Sequence, residues 1–355
     1  EAEAGPLQTL GRAAPYLTSA ALGGAAALQS GDAEASFIGT LAKTFPHDML
    51  GMARKMKDYG LSRAEIWRKT GIDLDNLDGL PRSELPDYAS SVDMLDIPKG
   101  EVSINPRGAV GDVFNTPDLY AAYPDLASVR ASQMSGRGGE YSAGGNTPLT
   151  AERVTYASPS SGFHEIQHAI QEREGFALGG NELSGAQAAW EQTASAEKRL
   201  RELENSDALY EGRKAIDKAF NDALDGKITS QEFDKIAAEN PLVYEWHRLQ
   251  KVREMSPKDG NEAYKRLAGE AEARNVQTRL NMTDAERRAT PPWETLDVPE
   301  SEQIVRMRGN ATPALLGATA VGTGAGMYAA SDANAGPIDA LGRAAPYLAT
   351  GALGA

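Results

Sequence analysis

Apolar positions recur at helical spacing from residue 48 to residue 70, at Met49, Met52, Met56, Leu61 and Ile66, and predict helix there. That period is lost over residues 75–160, where Gly, Pro, Ser and Asp separate short apolar runs such as Val102-Ser103-Ile104. Such a stretch predicts loops and a few strands. Residues 161–175 predict one helix, with Phe163, Ile166 and Ile170 as its apolar stripe and Gly175 as its stop. Residues 184–255 are charged and Ala-rich with Leu at helical spacing (Leu200, Leu203, Leu209), and predict several helices. Residues 261–282 predict another helix before the Pro291-Pro292 break, and a strand-like Gln303-Ile304-Val305 follows. The pattern implies a helix-rich α+β domain over about residues 37–310, with a helical insertion at about 184–258.

The two ends repeat each other. Residues 4–17 read AGPLQTLGRAAPYL and residues 335–348 read AGPIDALGRAAPYL. Residues 1–36 and 311–355 are therefore read as Gly/Ala-rich tails, helical or flexible, around the domain. Two copies this far apart do not make a solenoid. A short A-x-A signature also recurs, at residues 1–4 (EAEA), 32–35 (DAEA) and 332–335 (DANA), and is read as a linker unit or processing site. Residues 312–330 carry no charge and are rich in Gly, Ala and Thr. Their length is near the lower limit for a membrane span, but their composition inserts weakly. A linker is the first reading and membrane contact the alternative.

Charge narrows the partners. The 355 residues carry a net charge of −14, which repels nucleic acid at long range, so no specific nucleic-acid surface is expected. There are no cysteines, so any metal must be held by His, Asp, Glu or backbone oxygens. The chain starts at Glu1 rather than Met, as expected of a processed product or fragment.

The sharpest chemistry lies in His164-Glu165-Ile166-Gln167-His168. Residues four apart share one helix face, so His164 and His168 can present two imidazoles to one ion. Glu165 points to the side of that face, where it can act on a zinc-bound water as general base rather than bind the metal. Two of the four histidines in the chain fill this motif. The others lack supporting context: His47 is expected at the surface or as a cap, and His247 as a partly buried packing residue.

A catalytic zinc needs a third protein ligand and an open position. The run Leu267-Ala268-Gly269-Glu270-Ala271-Glu272-Ala273-Arg274 offers one, because its small residues let a helix approach closely. Glu270 and Glu272 lie two apart, so both cannot face the metal. Glu270 is preferred, since Arg274, one turn on, can pair with it or with substrate.

The run from His164 to Gln171, followed by Glu174-Gly175-Phe176-Ala177 and Gly179-Gly180, resembles the zincin-like metallopeptidase domains of large polyvalent proteins encoded by tailed phages and mobile elements. Residues 268–277 resemble that family's second motif, and Leu61–Ile72 and Pro117–Leu126 are similar more weakly. The similarity covers about residues 48–308. It implies a zinc-dependent peptidase of the gluzincin kind, with His164, His168 and Glu270 on one Zn2+ and Glu165 as catalytic base. It also implies a peptide or protein substrate and a virion protein that enters the bacterial host cytoplasm on injection. The alternative is a non-catalytic structural or ejected virion protein. That reading uses the domain and tails for assembly with other virion proteins, self-association, host interaction or membrane insertion.

Other features read more plainly. Residues 221–232 partly fit a calcium-binding loop, but Ala223 cannot bind calcium, and Thr229 with Glu232 reads better as a capping box. Residues 136–139 and 144–145 read as flexible loops near the site. Tyr141, Tyr156 or Tyr264 could polarise a substrate carbonyl, and nothing in their spacing selects one.

Overall fold

In a computed structural model of the chain, residues 34–87, 91–96, 104–144 and 151–308 are described. The chain divides into residues 1–31 and residues 32–355. The first unit, the repeated ends and the charge-free run 312–330 all lie outside the described residues.

Short strands and helices come first. They are β1 (Glu34–Ile38), α1 (His47–Asp58), α2 (Arg63–Thr70), β2 (Ile72–Asp73), β3 (Arg82–Asp87), β4 (Ser91–Val92), β5 (Ile104–Ala109), α3 (Val110–Val113), β6 (Phe114–Asn115), α4 (Pro117–Ala122), β7 (Arg130–Met134), β8 (Gly139–Ser142) and β9 (Arg153–Tyr156). Helices then dominate: α5 (Pro159–Glu174), α6 (Glu182–Glu204), α7 (Asp207–Leu224), α8 (Ser230–Ala238), α9 (Pro241–Glu254), α10 (Gly260–Lys265), α11 (Ala268–Arg279) and α12 (Asp284–Ala289). The fold is helix-rich α+β. Among the described residues no helix is long and apolar enough to cross a membrane.

The strands form three small sheets, ordered β1-β3-β2, β4-β6 and β5-β7-β9-β8. In the last, β7 and β9 are parallel and β8 runs antiparallel to β9 at one edge. The first sheet begins earlier than the expected boundary at residue 37, because Glu34, Ala35 and Ser36 pair with Asp87, Pro86 and Leu85. The A-x-A signature at residues 32–35 thus runs into a paired strand.

The predicted helix at 161–175 is α5, and its signals are local. Ser158 caps it, Pro159 occupies the first turn, and Gly175 ends it in the left-handed region at φ 72°. The run Ser158-Pro159-Ser160-Ser161-Gly162 is therefore the helix start, two residues ahead of the expected one. Phe163, Ile166, Ala169 and Ile170 enter the main core with Phe37, Phe114, Tyr156 and Val276. Phe114 meets Phe163 and Tyr156 edge-on, with ring centroids 5.3 and 4.9 Å apart.

Helices α6 to α9 carry their own apolar cluster of Leu200, Leu203, Leu209, Ile216, Val243 and Leu249. Thr229 and Glu232 form the capping box that starts α8.

One expected helix is broken. Residues 261–282 form α10 and α11 rather than one rod. Ile304 accepts a hydrogen bond from Ala268 N–H at 2.9 Å and donates to Arg266 C=O at 2.7 Å. That bridge holds Leu267 extended, at φ −59° and ψ 129°. The strand-like run at 303–305 thus exists as one bridge, and its effect is to restart a helix at Ala268.

Candidate metal centre

Helix α5 aims His164 and His168 at the first turn of α11, where Glu270 sits. His164 Nε2 lies 3.2 Å from His168 Nε2. Glu270 Oε2 lies 3.3 Å from His164 Nε2, and Glu270 Oε1 lies 3.3 Å from His168 Nε2. The histidine side chains are 12% and 11% exposed and that of Glu270 is 2% exposed, so the cluster is enclosed but reachable from the imidazole side. These three residues could hold a metal ion.

The sequence left Glu270 and Glu272 to be separated, and their partners separate them. Glu272 Oε1 accepts from Gln167 at 2.9 Å and from Gln171 at 3.0 Å, while its Oε2 accepts from Arg82 Nε at 2.8 Å. Every lone-pair direction it offers toward α5 is occupied. Glu270, by contrast, turns into the histidine pair and receives one backbone N–H, from Gly180, at 2.9 Å. Its Oε2 and the Nδ1 of His164 are buried with no hydrogen-bond partner among the described residues. Small residues allow the approach, as expected: a Cβ on Gly269 would collide with the backbone of Gly179, Leu178 and Ala177. Arg274 does not pair with Glu270; it holds Asp297 instead.

Two glutamines that the sequence reading passed over organise the centre. Gln167 and Gln171 are wholly buried. Gln167 accepts from Phe37 N–H and donates to Phe37 C=O, both at 3.0 Å, pinning β1 to the histidine helix. Gln171 donates to Gly269 C=O at 2.8 Å and presents its oxygen 2.8 Å from His168 Nδ1. Their signal was present in the pattern, since two amides one turn apart interrupt an otherwise core-facing side.

Electrostatics follow from burial and from the carboxylate. Burial works against a charged His168, yet contact with Glu270 outweighs it and pushes the imidazole up to about 9. Burial holds His164 below the ordinary histidine value, and Glu270 offsets this only in part. Glu270 itself is held well below the carboxylate range, because the two imidazoles outweigh its desolvation.

Glu165 lies beside the cluster. Burial raises its carboxyl to about 7, opposed by His168 and reinforced by the charges of Glu270 and Glu140. Edge strand β8 covers it: a Cβ on Gly139 would come within 2.7 Å of Glu165 Oε1 and 2.6 Å of Thr155 C=O. The expected flexible loop at 136–139 therefore ends in the strand that packs on Glu165.

Of the three candidate tyrosines, Tyr264 faces Glu270, whose charge adds to burial in raising the phenol. Tyr141 is taken by Glu152 at 2.9 Å, and Tyr156 is buried in the core. His47 is exposed at the start of α1, and His247 is half-buried against Trp246 in α9; neither joins the cluster.

No family model, no curated protein and no solved structure matches the chain.

Proposed function

We propose that the domain is a zinc-dependent, zincin-like metallopeptidase in which His164, His168 and Glu270 hold Zn2+ and Glu165 is the catalytic base. The observation that carries this reading is the cluster of ligand atoms: the two Nε2 atoms lie 3.2 Å apart, and each lies 3.3 Å from its own oxygen of the Glu270 carboxylate. Tetrahedral zinc with bonds near 2.0–2.1 Å places its ligands about 3.3–3.4 Å apart. Two imidazoles and one carboxylate suit zinc, and three protein ligands leave a position open for chemistry. The unpartnered Glu270 Oε2 supports the same fit, because a buried carboxylate oxygen without a donor is costly unless a cation meets it.

When bound, zinc supplies Lewis-acid polarisation and brings the pKa of a coordinated water toward neutrality. The rest is done by the chain. Glu165, with its carboxyl raised to about 7, can take a proton from water at neutral pH and hand it to the departing amine. Gln171 fixes the ring of His168, so that Nδ1 carries the proton and Nε2 faces the centre. Tyr264 offers a phenolic donor beside Glu270, suited to a carbonyl oxygen that gains negative charge. Strand β8 ends its sheet, and among the described residues no further strand pairs with its outer edge. An extended peptide added there would pass over Glu165.

Motif resemblance supports a phage or mobile-element polyvalent protein that works in the virion or the host cytoplasm. A non-catalytic docking role is the second reading. It draws on Leu183 and Trp190, which stand 80% and 71% exposed one face-repeat apart on α6. Elemental mass spectrometry and peptide-library hydrolysis of wild type, His164→Ala and Glu165→Gln test the proposal. About one zinc per chain, lost in the first variant and kept without hydrolysis in the second, is the expected result. A wild-type protein that takes up no zinc defeats it.

A further inference from the structure

The segment after α5 reaches the centre through one peptide group. Gly180 N–H donates to Glu270 Oε1 at 2.9 Å. The carbonyl of the same peptide unit, on Gly179, accepts from Arg306 Nη1 at 2.6 Å. In a planar trans peptide the oxygen and the amide hydrogen point in opposite directions. A donor gripping the oxygen on one side therefore aims the N–H to the other side. A guanidinium at the oxygen also polarises the peptide, which strengthens the N–H as a donor to a carboxylate.

This peptide needs such a grip. Both of its residues are glycine, so its two flanking torsions have few steric limits. A side chain cannot supply the restraint, because a Cβ on Gly179 would collide with His168 and Glu270. The restraint comes from the far end of the domain. Arg306 C=O accepts from Leu178 N–H at 2.7 Å, which lays the 304–306 segment along the glycine loop. Val305 N–H is tied to Gln192 of α6 at 3.3 Å, and Ile304 bridges Leu267 at the start of α11. Half-buried Arg306 thus reaches Gly179 from a segment anchored on both sides.

We propose that Arg306 is a positioning residue for the carboxylate ligand, acting through the Gly179–Gly180 peptide to hold Glu270 toward His164 and His168. The inference rests on the metal-centre reading above. It assigns a role to a residue more than thirty positions beyond Glu270 in the chain. Its chemistry is specific: a cation with a directed N–H is needed at the Gly179 oxygen.

The test is zinc affinity by competition with a chromophoric chelator, together with the visible spectrum of the cobalt-substituted protein. Arg306→Ala is expected to weaken zinc binding by about 10-fold or more, the usual cost of removing a group behind a ligand, and to alter the cobalt spectrum. Arg306→Lys, which keeps a cationic donor, is expected to recover most of the affinity. Arg308→Ala is the control, since Arg308 lies on the same segment but pairs with Glu172 at the surface; it should leave both readouts unchanged. Arg306→Met keeps the aliphatic stem and carries the test if the alanine variant does not fold. Wild-type affinity and spectrum in the Ala or Met variant overturn this inference alone. Equal loss in Arg308→Ala also overturns it, because the segment and not the guanidinium would then be responsible. A wild-type protein without a zinc site overturns the inference and the metal-centre reading together.

Discussion

Gln171 and His168 form the contact that orients the centre: the amide oxygen of one lies 2.8 Å from Nδ1 of the other. The amide nitrogen of Gln171 is committed to Gly269 C=O and Glu272, so its oxygen cannot flip away. An oxygen there demands a hydrogen on Nδ1 and leaves Nε2 free for a cation. Gln171→Leu removes the acceptor while keeping the volume. Zinc affinity is expected to fall by about 10–100-fold, measured by chelator competition. An unchanged affinity would show that the tautomer is set elsewhere.

Glu270 and Glu272 should fail in opposite ways. Glu270→Ala is expected to abolish stoichiometric zinc, and its cost to the metal-free fold should fade as pH rises through about 9, where the His168–Glu270 pairing is lost. Glu272→Ala leaves Arg82 to Asp78 alone and takes a buried acceptor from Gln167 and Gln171, and is expected to cost about 2 kcal/mol in urea unfolding of the metal-free protein. The reverse pattern would make Glu272 the ligand.

The pH dependence has a definite sign. In the metal-free chain His168 is pushed up to about 9, above the ordinary 6.5. A metal must displace that proton, so affinity should rise with pH by roughly tenfold per unit up to about 9. The same shift stabilises the metal-free fold fully below pH 6.5 and is lost as pH climbs through 9. His164, held below its ordinary value, stays neutral across that window. Melting temperatures of chelated protein should therefore drop from pH 6.5 to 9, and those of zinc-loaded protein should not. A flat profile for the chelated protein would contradict the His168–Glu270 pairing.

Gly139→Ala separates chemistry from binding. The added methyl meets Glu165 and the Thr155 carbonyl, not the histidines. Zinc content should stay near one per chain while kcat falls by on the order of 100-fold, as for a catalytic group displaced by about 1 Å. Loss of zinc in this variant would mean that β8 supports the ligands as well.

Much of this molecule was legible from short-range pattern. The cap at Ser158 and the stop at Gly175 bracket α5, and a helical period by itself puts His164 and His168 on one face with Glu165 beside them. The helices between Glu182 and Glu254 announced themselves through Leu spacing. The break at Leu267 did not, because Lys265-Arg266-Leu267 contains no breaker; it is imposed by Ile304, nearly forty residues away in the chain.

Helix geometry alone puts His164 and His168 on one face with Glu165 beside them, since it is local and the motif falls within two turns. Which glutamate joins the two histidines was settled only by the fold. Glu270 and Glu272 point to different sides of one helix, and only the partners that other segments bring can choose between them. Arg82 from β3 and the two glutamines of α5 claim Glu272, while the Gly179–Gly180 peptide, gripped by Arg306, turns Glu270 inward. Those contacts span up to 190 positions of chain, a range over which propensity and periodicity carry no information.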